Sequence, residues 1–95
     1  MNIYERVQDI ENMIKDMEEH LEIMYPDAGE WLEEMYSMYS DVEMEIEDIL
    51  NSPEFLELSY EDRREIKEIL RFYSMLALEY VDGAEHKVRE LGSML

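Results

Sequence analysis

The fold of this 95-residue chain is decided by the stretch Phe72-Tyr73-Ser74-Met75-Leu76-Ala77-Leu78-Glu79-Tyr80-Val81. Eight of its ten residues are apolar or aromatic. In a helix, at about 100° per residue, these side chains point nearly all round the axis, so the segment needs cover on more than one face. The stretch therefore predicts a central helix that packs against two other helices or against a second copy of the chain.

The two segments before this stretch have the apolar spacing of amphipathic helices. Apolar residues recur at alternating intervals of four and three within 3–24 and again within 32–49. This spacing forms the seam of a helix that packs against its neighbours. Asn2, Asp27 and Ser59 stand where N-cap residues are needed. We predict one domain over 1–95, an all-α antiparallel bundle of three long helices (about 2–25, 28–51 and 60–91) with a short helical turn near 53–58.

The third predicted helix is longer than the other two. It would measure about 48 Å if it ran unbroken to Leu91, against about 35 Å for each of the others. Either it breaks at Asp82-Gly83 and folds back, or its extra turns dock on another chain. A single glycine weakens a helix by only about 1 kcal/mol, and the apolar stretch also needs cover, so the second alternative is favoured. The predicted homodimer interface consists of Phe72, Met75, Leu78, Val88 and Leu91.

The composition predicts a compact and very acidic protein. Hydrophobic residues make up 46% of the chain, which is enough for a core, whereas 26 acidic and 8 basic residues give a formal charge of −18. A magnitude of roughly 2 to 8 is typical of a small soluble domain. The excess charge opposes compaction. It also argues against direct binding to nucleic acid or to an anionic membrane, because that binding depends on Lys and Arg.

The sequence lacks the patterns of the common enzyme and metal-protein classes. It has no cysteine, no Gly-rich phosphate loop and no nucleophile–histidine signature, so we expect neither catalysis nor a cofactor. His20 and His86 each follow an aspartate by four residues, but the Glu-x-x-His pattern of di-iron bundles is absent, and no metal site is predicted. No secretory apolar region or membrane-spanning run is found, which predicts a cytoplasmic location.

The negative charge is concentrated in the second predicted helix. Residues 27–51 contain nine acidic residues and no basic one. Side chains one turn apart are separated by about 5 to 6 Å, similar to phosphates along a nucleic-acid strand, and like charges at this spacing destabilise a helix. We therefore predict that a partner with a basic groove binds this helix, helped by Asp9, Asp16 and Glu19. The predicted contact residues are Glu30, Glu33, Glu34, Asp41, Met44, Glu47 and Asp48, with Glu43 and Glu45 at the margins.

A plainer interpretation is that these carboxylates form a solvated face that only keeps the protein soluble. Trp31, Tyr36 and Met38 border the face. Aromatic and Met residues at helical spacing are more often core residues than contacts, although both types are enriched in interfaces. Met44 differs from them, because an exposed methionine among carboxylates favours a contact.

The one basic cluster lies early in the third predicted helix. Arg63, Arg64, Lys67 and Arg71 alternate there with carboxylates. The first interpretation is a ridge of intrahelical pairs such as Arg64 with Glu68. The alternative is that Arg63, Lys67 and Arg71, which are four residues apart, pair with an acidic helix of this chain or of a second copy.

In its size, acidity, helicity and lack of cysteine, and above all in residues 27–51, the chain resembles small acidic helical proteins that block host defence nucleases. These are the anti-restriction DNA mimics and anti-CRISPR proteins of phages and mobile elements. The resemblance implies stoichiometric inhibition of a basic, nucleic-acid-binding host protein in the host cytoplasm. It rests on no motif and assigns no residue. The alternatives are a structural or adaptor helical-bundle dimer and a halophilic protein, although halophile chains are usually poor in large apolar residues.

Overall fold

A computed structural model describes residues 2–24 and 26–94 of the chain. Four helices follow one another: α1 (Ile3–Glu22), α2 (Ala28–Leu50), α3 (Pro53–Leu56) and α4 (Tyr60–Met94). The three long helices each pack against the other two in a rod of 55 × 20 × 17 Å. This confirms the predicted all-α bundle of three long helices and a short turn. None of the helices in the described ranges combines the length and apolarity that crossing a membrane requires.

Side-chain caps begin all four helices. Asn2 and Asp27 accept the backbone N–H three residues further along, at 2.9 and 3.1 Å, and thereby cap α1 and α2. Ser52 and Ser59 do the same for α3 and α4, at 3.3 and 3.2 Å. Each cap satisfies a donor that has no partner within its helix. The predicted helix starts are therefore confirmed to within a residue or so.

The C-terminal end of α1 is fixed by side chains from the other two long helices. α1 ends at Glu22, earlier than the predicted end near residue 25. Trp31 Nε1 donates to the carbonyl of His20 at 2.8 Å, and Lys87 Nζ donates to the carbonyl of Leu21 at 2.5 Å. The last carbonyls of a helix lack intrahelical partners. Because α2 and α4 supply donors for two of them, the helix can end before the proline that was expected to stop it.

The core is one continuous cluster of apolar side chains from all four helices. Most of its members belong to the predicted seams, so the apolar spacing places the helices correctly against one another. Phe55 of α3 is also in the core, although the sequence marks its segment only as a turn. Trp31 is fully buried and is therefore a packing residue. The buried apolar residues are Ile3, Ile10, Ile14, Met17, Trp31, Met35, Val42, Ile46, Ile49, Phe55, Ile66, Leu70, Ala77, Val81 and Ala84.

The longest helix runs without a break through Asp82-Gly83. A Cβ atom built on Gly83 would lie 3.6 Å from the methyl carbons of Leu21, an ordinary contact distance, so α1 packs closely here. Because α4 does not fold back on itself, α1 and α2 cover the central stretch 72–81 on one side only. Ala77 and Val81 are buried. Within one chain, the cover that this stretch was predicted to have is incomplete.

The residues of the predicted dimer interface lie on two different sides of α4. Phe72, Met75 and Leu78 are exposed by 56%, 57% and 48%. Val88 is half-buried against the core of its own chain, and Leu91 lies beside Met24 and Lys87. At about 100° per residue, Val88 and Leu91 lie on the opposite side of the helix axis from Met75. The five residues therefore do not form one continuous surface, because Val88 packs into the core of its own chain.

Candidate acidic interface

The solvent side of α2 is an acidic surface without a basic residue. The buried residues of α2 lie on the opposite side, where they contact α1 and α4. Met44 is 60% exposed and lies near the centre of the solvent side. The acidic face, as we call it, comprises the seven predicted contact residues, all of which are exposed: Glu30, Glu33, Glu34, Asp41, Met44, Glu47 and Asp48.

Most carboxylates of the acidic face are not compensated by any residue that the structure describes. Glu34 is the exception, since its Oε2 atom lies 3.9 Å from His20 Nδ1. That contact becomes an ion pair only when the imidazole is doubly protonated. The other carboxylates of the face make no hydrogen bond or ion pair with any described side chain. Their mutual repulsion is therefore a cost that folding does not relieve.

At the margins of the acidic face, by contrast, Glu45 and Glu43 are held in place by side chains of the neighbouring helices. Arg6 Nη2 of α1 lies 3.2 Å from Glu45 Oε1. On the other edge, Ser74 Oγ of α4 donates to Glu43 Oε1 at 2.6 Å. Side chains of α1 and α4 thus contact the carboxylates at the two edges of α2, whereas those at the centre of the solvent side face solvent.

The first helix extends the acidic face across a shallow groove. Asp16 of α1 and Asp41 of α2 line this groove of about 120 Å³ together with Met13 and Met38. Asp9 and Glu19, the other α1 residues expected to contribute, are exposed. Asp16 and Asp41 thus bring carboxylates of α1 and α2 to one groove.

Two hydroxyl groups on the acidic face are not singled out by the sequence patterns. Ser37 and Ser40 are exposed on α2 between Glu34 and Asp41. At about 100° per residue they point to the same side as Met44. Their positions in the sequence could have indicated this exposure, because neither Ser37 nor Ser40 belongs to the apolar seam of α2. They add neutral donors and acceptors to an otherwise anionic surface.

The acidic face is fixed to α1 by a reciprocal contact between His20 and Trp31. His20 Nε2 lies 2.8 Å from the Trp31 carbonyl oxygen, and because a carbonyl can only accept, this nitrogen donates. The indole returns a hydrogen bond to the His20 carbonyl. The two rings stack with centroids 5.3 Å apart and an angle of 11° between their planes. The first turn of α2 is thereby held against the end of α1, and Glu34 lies in the next turn.

The two histidines do not contact the aspartates that precede them by four residues. His20 contacts Trp31 and Glu34, and His86 Nε2 lies 2.8 Å from Glu90 Oε1. Within residues 2–24 and 26–94, no group of three or more His, Asp or Glu side chains is arranged to hold a metal ion. Three tyrosines also lie near carboxylates. The pKa values of Tyr36, Tyr73 and Tyr80 are raised, first by burial and then by the nearby charges of Glu85, Glu11 and Glu18, respectively.

The basic cluster near the start of α4 is only partly neutralised. Arg64 Nε lies 3.7 Å from Glu68 Oε1, which confirms that intrahelical pair. Arg63, Lys67 and Arg71 have no carboxylate partner among the described residues, so the predicted pairing with an acidic helix of the same chain is not found. Lys67 Nζ instead lies 6.0 Å above the ring of Phe55. Positive charge is thus left available on α4.

The geometry and charge of these surfaces are the grounds for inferring a function, because comparisons with known proteins supply none. No protein-family model, curated protein or solved structure matches the chain.

Proposed function

We propose that this protein is a non-catalytic acidic binding protein that inhibits a nucleic-acid-binding protein or nuclease by occupying its basic groove. The observation that carries the proposal is the uncompensated acidic face of α2. Glu45 at one margin of α2 pairs with Arg6 and Glu43 at the other accepts a hydrogen bond from Ser74, whereas Glu30, Glu33, Asp41, Glu47 and Asp48 have no cation among the described residues. A partner rich in Lys and Arg would supply the missing positive charges.

The dimensions of the acidic face suit a groove that binds nucleic acid. From Glu30 to Asp48 the helix rises by about 27 Å at 1.5 Å per residue, which is the length of about eight base pairs at 3.4 Å each. Over this length Glu34, Asp41 and Asp48 recur every seven residues, about 10.5 Å at 1.5 Å per residue, with the two serines and Met44 between them. A groove that normally neutralises phosphates would find charges of the same sign along its length, at about twice the phosphate spacing. Long-range attraction would also speed the encounter between the two proteins.

The neutral residues of the acidic face would give the complex its specificity. Met44 is large, flexible and 60% exposed among carboxylates. Interfaces gain most of their affinity from a few central residues that lose their water on binding, and methionine adapts its shape to such contacts. Ser37 and Ser40 can donate or accept hydrogen bonds beside it. A partner whose groove fits Met44, Ser37 and Ser40 would gain more binding affinity from these side chains than a groove that only binds phosphates.

The acidic face is held in place before any partner binds. Arg6 fixes one edge through Glu45, Ser74 fixes the other through Glu43, and the His20–Trp31 contact holds the first turn. Side chains and helices that are already ordered lose less entropy on association. The proposed inhibitor would therefore bind as a rigid body and block the groove one-to-one, without chemistry.

The partner class follows from the sign of the charge and from the resemblance to phage anti-defence proteins. A basic host protein that handles DNA or RNA, such as a defence nuclease in the host cytoplasm, fits both. Direct binding to nucleic acid or to an anionic membrane does not fit a charge of −18.

A second candidate function is that of a structural or adaptor bundle whose acidity serves solubility. The observation that favours it is the exposed apolar patch of Phe72, Met75 and Leu78 on α4, which the proposed inhibition does not use. Such patches commonly mark interfaces. The two candidates make opposite predictions for variants of the acidic face.

The test of the proposed function reverses three charges of the acidic face. The tagged protein captures partners from a lysate of the host cell, and mass spectrometry identifies them. The triple variant Glu34→Lys, Asp41→Lys, Asp48→Lys should lose the basic, nucleic-acid-binding proteins, and the wild type alone should displace nucleic acid from the purified partner. The matched control is Glu22→Lys, Glu57→Lys, Glu65→Lys, which changes the net charge equally at exposed sites elsewhere. Equal capture by a folded triple variant and the wild type would rule out the proposal.

A further inference from the structure

One exposed side of α4 has the spacing of a helix-packing seam that no part of the described chain covers. Arg71, Met75, Leu78 and Asp82 are separated by four, three and four residues, so they lie along one side of the helix. All four are exposed. Phe72 lies beside this seam and is 56% exposed. The central pair of the seam is apolar, and its two ends carry opposite charges.

Neither charged end of the seam has a partner within residues 2–24 and 26–94. Arg71 and Asp82 make no ion pair or hydrogen bond with the described residues. In contrast, Arg6, Arg64 and Arg89 each have a carboxylate oxygen at 3.2 to 3.7 Å. In a chain with 26 acidic and 8 basic residues, an arginine that remains unpaired beside exposed apolar side chains points to a partner outside the chain.

We propose that the seam Arg71-Met75-Leu78-Asp82 binds the same seam of a second copy, with the two α4 helices antiparallel. A twofold axis midway between Met75 and Leu78 places Met75 opposite Leu78 of the second copy. The same axis places Arg71 opposite Asp82 of the second copy. Symmetry repeats both pairs, so two apolar layers lie between two ion pairs. A parallel arrangement would instead set arginine against arginine and aspartate against aspartate, which disfavours it.

The surroundings of the seam fit a helix of a second copy. A recess of about 310 Å³ between α2 and α4 lies beside Met75, with Ile46, Leu50 and Leu70 in its wall. Leu78 of the second copy would lie next to this recess. The second copy also completes the cover that the central stretch of α4 lacks within one chain. The dimer uses α4 and leaves the acidic face of α2 free, so this inference does not rest on the proposed function.

Charge reversal at the two ends of the seam tests both the partner and its direction. Light scattering coupled to size exclusion should give twice the chain mass for the wild type at micromolar concentration and about 0.15 M salt, where the screening length is about 8 Å. Arg71→Asp should dissociate the dimer, because two aspartates then face each other. Asp82→Arg should do so because two arginines meet. Each single variant should weaken the dimer at least tenfold, and the double variant R71D/D82R should restore it.

Matched controls separate the seam from a general effect of charge. Lys15→Asp and Asp9→Arg make the same two charge changes on the solvent side of α1, and both should remain dimeric. Circular dichroism should show unchanged helix content for all variants. A wild type of single-chain mass would overturn the proposal. Dimeric single variants would also overturn it, as would a folded double variant that stays monomeric.

Disulfide trapping gives an independent measure of the register. The chain has no cysteine, so single substitutions report without background. In an equimolar mixture of Met75→Cys and Leu78→Cys chains, the mixed disulfide should form in excess over both homodisulfides, because these two positions face each other across the axis. Predominance of either homodisulfide would contradict the antiparallel register.

Discussion

Trp31 and His20 each hydrogen bond the backbone carbonyl of the other, at 2.8 Å in both directions. The two side chains thereby donate to a carbonyl at the end of one helix and to a second carbonyl in the first turn of the next. Their rings stack at the same place. This exchange joins α1 to α2 where the connection between them is short, and it sets the position of the acidic face relative to the rest of the bundle.

Removal of the indole N–H should destabilise the protein. Trp31→Phe keeps a buried aromatic ring but leaves the His20 carbonyl without its donor, which costs about 1 to 3 kcal/mol. Urea denaturation followed by circular dichroism measures the change. Tyr4→Phe is the control, since Tyr4 is 59% exposed, and its variant should stay within about 0.5 kcal/mol of the wild type. Equal stability of Trp31→Phe and the wild type would show that water replaces the indole without loss.

A small residue at the glycine of α4 should stabilise the protein. Gly83→Ala gains about 0.5 to 1 kcal/mol from helix propensity, and its Cβ atom would meet the Leu21 methyl groups at an ordinary distance of 3.6 Å. Gly92→Ala serves for comparison, because nothing lies within 4 Å of its Cβ position and the last helical turn frays. Its gain should be smaller. Thermal unfolding measures the melting temperatures of both variants and of the wild type. A melting temperature of Gly83→Ala below that of the wild type would mean that α1 cannot accept the methyl group.

Salt should stabilise the wild-type protein. The carboxylates of the acidic face repel one another without compensation, and a rise from about 0.01 to 0.1 M salt shortens the screening length from about 30 to about 10 Å. The melting temperature should therefore rise over this range. The variant Asp41→Lys, Asp48→Lys should respond less, because part of the repulsion is already removed. A melting temperature that does not depend on salt would show that the negative charges are compensated in the folded state.

Stability should fall at alkaline pH. Burial and nearby glutamates raise the pKa of Tyr73 and Tyr80 in the folded chain. The unfolded chain then loses its protons first, so the free energy of unfolding decreases as the pH rises past the ordinary tyrosine value of about 10. Denaturation at a series of pH values measures the decrease. Tyr73→Phe and Tyr80→Phe should each reduce it, whereas a slope unchanged in both variants would assign the effect to other groups.

The sequence predicts most of the fold because its signals are local. Alternating intervals of three and four residues define the buried sides of α1 and α2, and Asn2, Asp27 and Ser59 mark the helix starts. The exposure of Met44 follows from the same phase. What a seam shows is which side of a helix is buried, and this is enough to place the acidic face on the solvent side.

The remaining features depend on contacts between residues far apart in the chain. The end of α1 is set by donors from Trp31 and Lys87, which no local pattern contains. The half-burial of Val88 follows from the position of α4 against the other helices, although its spacing also suited an outer interface. Phe55 enters the core because α3 folds back onto the bundle, and four residues are too few to show a period.

The place of the only tryptophan in the chain provides an optical probe of how a partner binds. Trp31 is fully buried between two helices and stacked on an imidazole, so its fluorescence depends on the closure of that end of the bundle. A partner that docks on the intact solvent side of α2 would leave the emission wavelength unchanged. A partner that pulls α2 away from α1 would wet the indole and shift its emission to the red, so a single unlabelled spectrum distinguishes the two modes.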